Sequence, residues 1–355
     1  MTYQKNNSIP EDMKRYSKQV RYPGLGIEGQ MWLSKSCAIV VGCGALGSVS
    51  ANLLARSGVG RLVLIDRDFV ELDNLQRQVI FTEKDVGMPK AVVAKEFLQR
   101  ANSEIEIISH VADLDFRNIE NLILVKGIEK SVVVDGTDNF ETRFLINDAC
   151  VKNLIPWSYA GCLGAEGQTM TVLPNQTACL HCLMLDGPPP PGTTETCDSG
   201  GILSTIINVV ASVQVNETIK ILSGREEQVN RKLQVFDLWG NRNHAVELGT
   251  LREKVDCPCC KQNRFDWLDG KHGSQPTVLC GRNAVQVSFP ERQPVDLAAL
   301  AKRLKPIGNV VTNPFLVRFE IDEYVVTVFA DGRAIVNGTE DITTAKKLYA
   351  QYVGA

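Results

Sequence analysis

The chain has 355 residues, 44% hydrophobic and 22% charged, with a formal net charge of −3, the make-up of a globular protein with room for one large and one small domain. The slight acidity excludes a broad nucleic-acid footprint, which needs clustered Lys and Arg, and no apolar run reaches the ~18 residues of a membrane span. Eleven cysteines, in a sequence whose opening MTYQKNNSIPEDMKRY lacks an apolar signal core, predict a cytoplasmic protein that uses thiols for metal or thiol chemistry rather than a disulfide framework.

The first half alternates short apolar runs with helical patterns. Ala38–Val41, Leu62–Asp66, Ile105–Val111 and Ser131–Asp135 are predicted strands, and Leu46–Ser57, Ala91–Ala101 and Phe140–Lys152 are predicted helices. That alternation predicts an α/β fold, a Rossmann-like, doubly wound and mostly parallel sheet with helices on both faces. Gln168–Leu173 and Leu233–Leu238 add strands around a long helix at Ile202–Leu222, which Ser204, Thr205, Asn208, Gln214 and Asn216 interrupt as a membrane span. Before that helix lies LDGPPPPGTTETCDSGG, whose proline run excludes helix and central strand and leaves a surface loop. A cysteine-bearing loop of this length is of the kind that carries function.

After Cys260 the polar, turn-rich KQNRFDWLDGKHGSQP reads as a linker. It divides a large domain at 1–268 from a small α+β domain at 277–355. The small domain opens on a strand at Thr277, followed by a helix at Asp296–Leu304. Strands at Val310–Thr312, Phe315–Ile321, Tyr324–Phe329 and Ala334–Asn337 and a helix at Thr343–Tyr352 complete it. This order is topologically similar to one repeat of the TATA-binding-protein fold, a likeness that says nothing about DNA. The domain has no clustered acids, histidines or paired cysteines and is assigned no chemistry.

The chemistry is concentrated in the first half. In AIVVGCGALG, Gly42, Gly44 and Gly47 form a turn between a strand and a helix, the usual way to seat a phosphate at a helix N-terminus. Gly44 lets the backbone approach the phosphate, and Gly47 lets the helix pack on its strand. Asp66 ends LVLID about 20 residues further on, suited to ribose hydroxyls. Those two features alone fit a nicotinamide-dependent oxidoreductase. Arg77 in DNLQRQ and Lys90 in GMPK add fixed positive charge, and Asp138 in VVVDGTDN adds a carboxylate that can hold magnesium. Such a set suits a nucleoside triphosphate whose phosphates are being broken. Asp138 would serve equally as N-cap of the following helix, unless Asn139 takes that task.

Cys179-Leu-His-Cys182 and Cys257-Pro-Cys259-Cys260 hold two C-x-x-C pairs. One pair is also the spacing of a redox dithiol; two complete a tetrahedral zinc site. Cys257 and Cys260 are preferred, because adjacent cysteines rarely serve one ion well. Cys37, Cys43, Cys150, Cys162 and Cys280 sit in apolar stretches and are predicted core residues. His110, His181, His244 and His272 form no triad or metal set in the sequence.

In register from RYSKQ at Arg15 to Cys260, the glycine turn, NLQRQ, GMPK, TDN and the cysteine pairs resemble the ThiF/MoeB/HesA-type adenylyltransferases. These are enzymes of molybdopterin and thiamine biosynthesis related to ubiquitin-activating enzymes. The resemblance implies ATP-dependent adenylation, with Mg2+, of the C-terminal glycine carboxylate of a ubiquitin-like sulfur-carrier protein. Sulfur transfer involving a sulfur donor protein would follow. It also implies antiparallel strands extending the sheet, a structural Zn2+ on Cys179, Cys182, Cys257 and Cys260, and a triphosphate clamp of Asn74, Arg77 and Lys90. Asp138 matches the family's magnesium ligand. Lys18 stands where the family has an arginine that reaches the neighbouring subunit's triphosphate, which implies a homodimer. Cys197, in TETCDSGG, matches a cysteine that accepts the carrier covalently in some members. Ala45 replaces a second glycine of the family turn. Rival readings are adenylation of a peptide or of a tRNA-linked threonylcarbamoyl group, and a non-catalytic scaffold, which would have lost the clamp. An oxidoreductase gives NLQRQ and the cysteine pairs no purpose.

Overall fold

The computed structural model describes residues 9–189, 200–272, 277–279, 283–287 and 294–354. They fall in two compact units, one of residues 9–188 and 202–269, the other of residues 189, 200–201 and the described residues from 270 onward.

In the first unit the helices are α1 (Gly26–Lys35), α2 (Ala45–Ser57), α3 (Lys90–Ala101), α4 (Ile119–Ile123), α5 (Phe140–Lys152), α6 (Leu180–Leu183), α7 (Ser204–Leu222) and α8 (Leu251–Lys254). The strands are β1 (Cys37–Val41), β2 (Arg61–Asp66), β3 (Glu106–Val111), β4 (Ser131–Asp135), β5 (Trp157–Leu163), β6 (Glu166–Val172), β7 (Lys232–Asp237) and β8 (Arg242–Glu247). They form one sheet in the order β3-β2-β1-β4-β5-β6-β7-β8. Pairing is parallel from β3 to β5 and antiparallel from β5 to β8. This is the Rossmann-like α/β sheet expected, with its antiparallel extension.

The parallel half forms because its strands are apolar on both faces. Along β1, Cys37, Ile39 and Val41 pack with Phe144, Ile146 and Ala149 of α5. Ala38 and Val40 turn the other way, against α2, α3 and α7 through Leu54, Leu98 and Leu222. Cys37, Cys43 and Cys150 are buried as predicted, Cys162 is half-buried, and Cys280 lies outside the described residues. Two strands of this unit escape the sequence reading. β5 follows a proline and interleaves Ala160 and Gly161 with its larger side chains, and β8 is polar and exposed along its whole length. Among the described residues no helix is long and apolar enough to cross a membrane.

The second unit contains β9 (Thr277–Leu279), β10 (Ala284–Val287), α9 (Leu297–Leu304), β11 (Asn309–Thr312), β12 (Leu316–Ile321), β13 (Tyr324–Phe329), β14 (Ala334–Asn337) and α10 (Ile342–Tyr352). Its antiparallel sheet has the order β11-β12-β13-β14-β10-β9. Leu300 and Leu304 of α9 and Ala345 and Tyr349 of α10 share one core with Val317, Phe319, Val326 and Val328. Both helices begin at an aspartate N-cap, Asp296 and Asp341, whose side chains accept first-turn N–H groups.

Candidate nucleotide site and cysteine cluster

The order 3-2-1-4 makes the β1/β4 boundary the point where the chain reverses its direction of travel across the sheet. Crevices outside the carboxyl ends of such strands are where ligands bind in open α/β folds. Here the crevice floor is made of glycines. The Gly42 N–H donates to the Ile65 carbonyl at 2.8 Å, and Gly42 has φ +84°, with the Gly136 carbonyl oxygen 2.7 Å from where its Cβ would lie. A Cβ on Gly136 would in turn fall 2.5 Å from the Gly42 oxygen. Gly44 differs: the nearest atom to its missing Cβ is Gln78 Nε2 at 3.9 Å. It is the N-cap of α2 and gives that helix no side-chain cap. The first N–H groups of a 13-residue helix therefore look out beside open space, the arrangement that attracts an anion.

Asp66 closes one side. Its Oδ2 accepts the Cys43 N–H at 2.5 Å and its Oδ1 the Asp68 N–H at 2.6 Å. Burial raises its carboxyl above the usual carboxylate range, and the positive charge of Lys90 opposes that rise. Burial also pushes the Cys43 thiol well up. Lys90 is buried at the first position of α3, with Nζ 3.5 Å from Asp68 Oδ2.

Asn74 and Gln78 line the same region. Asn74 is 2% exposed and donates to Asp73 Oδ1 at 2.8 Å. Its own Oδ1, and Oε1 of the buried Gln78, have no hydrogen-bond partner. Buried polar atoms are rarely left so unless a ligand, ion or water completes them. Arg77 shares the turn, but its guanidinium folds back to donate to the Asp73 carbonyl at 2.9 Å. Beyond β4, Asn139 caps α5 by accepting the Thr142 N–H at 2.9 Å, so the capping task does not fall to the exposed Asp138. Arg67 and Arg143 both act on Asp138 electrostatically.

One expected residue stands apart from this assembly. Lys18 is exposed, and its neighbour Gln19 donates to the Ser57 carbonyl at 2.9 Å, at the C-terminal end of α2. The glycine turn is at the other end of that helix, about 20 Å away at 1.5 Å per residue. Cys197 lies outside the described residues. Gly136, Gln78 and Arg143 were not singled out in the sequence. Gly136 was legible, as a glycine directly after a strand-ending acid.

The two cysteine pairs meet. Sγ atoms of Cys179, Cys182, Cys257 and Cys260 lie within 4.8 Å of one another. Cys179–Cys182, Cys179–Cys257 and Cys182–Cys260 are 3.8, 3.6 and 3.5 Å apart. A regular tetrahedron with Zn–S bonds of ~2.3 Å has edges of about 3.8 Å. The donor set therefore fits zinc in both chemistry and dimension. Hydrogen bonding from Cys179 lowers the Cys257 thiol, and holds Cys260 at about 7.

Cys259 is not one of these four: it accepts from Asn147 Nδ2 at 3.3 Å and also interacts with the Cys179 thiol. The sequence put no histidine in a set, but His181 joins Asp148 and Cys259 in a second buried group. His181 Nε2 is 3.0 Å from Asp148 Oδ1, and Asp148 Oδ2 accepts the Trp267 N–H at 3.0 Å. The pairing was invisible in the sequence because α5 meets the first cysteine pair only in the folded chain.

The ThiF family profile matches residues 16–259. The chain is 42% identical over 343 residues to the sulfur carrier protein ThiS adenylyltransferase of Bacillus subtilis, covering 96% of this chain and 99% of that one. That alignment reaches into the second unit. It is also 38% identical over 253 residues to the adenylyltransferase and sulfurtransferase MOCS3 of Aedes aegypti, with 71% of this chain matched to 56% of the longer relative. Among solved structures, E. coli MccB with ATP superposes with a TM-score of 0.61 at 24% identity, over 73% of this chain and 77% of that one, a likeness of fold. With the glycine turn, the clamp sequence and the cysteine pairs as far as Cys259 inside the matched span, the chain belongs to the ThiF family.

Proposed function

We propose that the chain adenylates the C-terminal glycine carboxylate of a ThiS-like sulfur carrier, using ATP. The observation that carries this reading is the 42% identity across 99% of the length of a ThiS adenylyltransferase. The uncapped α2, buried Lys90 and unpartnered Asn74 Oδ1 at the switch point give it physical support. A carboxylate oxygen of the carrier attacks the α-phosphorus. The bond from that phosphorus to its bridging oxygen breaks, pyrophosphate leaves with the oxygen, and an acyl-adenylate remains. A carboxylate is already ionised, so no general base is needed; positioning and charge neutralisation supply the rate.

Each residue then has a task. The α2 N–H groups and Lys90 hold phosphate oxygens. Arg77 turns from the Asp73 carbonyl to the triphosphate, where its planar fork offers two donors. Asp66, whose Oδ2 accepts from Cys43 in the turn and whose Oδ1 accepts from Asp68, keeps lone pairs for the ribose hydroxyls. Asp138 would hold magnesium, which supplies neutralisation of phosphate charge. Cys179, Cys182, Cys257 and Cys260 would hold zinc as a closed structural site that ties distant segments together. The adenylate is open to a sulfur nucleophile, with AMP leaving; Cys197 is the chain's own candidate, acting with a sulfur donor protein. The active form is a cytoplasmic homodimer, in which Lys18 serves the partner subunit rather than its own distant turn. Carrier-dependent exchange of labelled pyrophosphate into ATP tests the reading.

A further inference from the structure

β4 and β5 pair over only two positions, Val133↔Trp157 and Val134↔Ser158. They then part at the mouth of the crevice, and two buried side chains replace the missing ladder, one from each face of the sheet. From α7, Gln214 Nε2 donates to the carbonyls of Asp135 and Ser158, both at 2.8 Å. Its Oε1 accepts from Ser50 of α2 at 3.0 Å. From α5, Arg143 Nη2 donates to the Thr137 carbonyl at 2.7 Å and the Ala160 carbonyl at 3.1 Å. Arg143 Nε lies 3.2 Å from Asp135 Oδ2. The guanidinium also sits over the rings of Phe140 and Tyr159, at 5.5 and 5.3 Å. The remaining Asp135 oxygen accepts the Thr137 N–H and hydroxyl, at 2.9 and 2.6 Å.

A buried ion pair is a poor device for stability alone, because desolvation offsets its attraction. Here the acceptors of Arg143 lie on the last residue of β4, on the turn that follows it and in the middle of β5, on both sides of the gap where the two strands part, and Asp138 is the residue after Thr137. We propose that Arg143 is a positioning residue for adenylation: it fixes the Thr137–Asp138 turn against β5, so that the Asp138 carboxylate is presented at one distance from the triphosphate and its metal. Gln214 ties the end of β4 and the start of β5 to the phosphate helix α2. This rests on the reading that Asp138 serves the nucleotide; Arg143 itself need touch no substrate.

The test uses the full chain and calorimetric ATP binding, first in EDTA and then across a Mg2+ titration, for wild type, Arg143→Lys and Arg143→Met. Lysine keeps the charge but cannot span two carbonyls and a carboxylate; methionine removes the charge. Both should raise the Mg2+ midpoint about tenfold to a hundredfold, the usual effect of losing a group that orients a metal ligand. ATP affinity in EDTA should stay within about twofold of wild type, and the midpoint of Arg143→Lys should lie closer to wild type than that of Arg143→Met. A merely structural role would lower the melting temperature and leave the midpoint in place; an unchanged midpoint in both variants overturns the proposal. Pyrophosphate exchange on wild type separates the two claims. Its absence would overturn the adenylation reading, while metal-linked ATP binding would still decide the role of Arg143.

Discussion

A Cβ on Gly47 would lie 1.7 Å from the carbonyl oxygen of Gly42. No rotamer relieves that contact, because both atoms belong to backbone. α2 can therefore rest on the end of β1 only with glycine at this position. At Gly44, one turn earlier, the nearest atom to a Cβ is 3.9 Å away. The two glycines should separate experimentally. Gly47→Ala should cost about 1–3 kcal/mol, the range for overpacking a filled core, seen in denaturant unfolding. Gly44→Ala should leave unfolding nearly unchanged and weaken ATP binding. Equal stability losses at the two positions would contradict this division of roles.

The cations of the clamp should differ in kind. Arg77→Ala removes a half-buried side chain that donates to the Asp73 carbonyl, so stability should hold while pyrophosphate exchange falls by about two to three orders of magnitude. Lys90→Ala should lower both, since it removes the positive charge that opposes the burial of Asp66 and one of the two cations beside Asp68. Thermal melts and exchange rates measured on the same preparations distinguish the two patterns.

Metal analysis of freshly purified protein should find about one zinc per chain. Cys179→Ser should lose it and lower the melting temperature more than it lowers the rate of adenylation by the folded fraction. Cys259→Ser should keep the zinc, because Cys259 groups with Asp148 and His181 and accepts from Asn147, outside the four-thiol set. Zinc retained in the first variant, or lost in the second, would reassign the ligands.

Cys197 can be tested without knowing its surroundings. If it accepts the carrier, a linked species should form with ATP and disappear on treatment with a thiol reductant. Cys197→Ala should abolish that species and preserve pyrophosphate exchange, since adenylation precedes any thiol step. Loss of both activities would mean that the residue supports the fold.

The parallel half of the sheet was legible because strands buried on both faces appear as unbroken apolar runs, as in VVVD of β4. β8 was not, because an exposed edge strand needs no alternation and takes its conformation from its ladder with β7. The glycine turn and cysteine pairs could be read because their spacing is their chemistry. Arg143 and Asp148 could not. Both are buried polar residues on α5, a helix buried on nearly all sides, where polarity suggests a solvent face that does not exist. Their partners, Ala160 and His181, lie on segments that meet α5 only after folding. Asp66 was found by position, but its hydrogen bonds to the backbone N–H groups of Cys43 in the turn and of Asp68 are facts of the fold.

The central claim is carrier-dependent adenylation, and ATP–pyrophosphate exchange measures it most directly. The full chain should be incubated with ATP, Mg2+, labelled pyrophosphate and a ThiS-like carrier ending in a free glycine, alongside the same carrier with its C-terminal carboxylate amidated. Label should enter ATP only with the free carboxylate, and the intact mass of that carrier should rise by one adenylyl group. Exchange that is absent with every free-glycine carrier, or equal with the amidated one, would contradict the account.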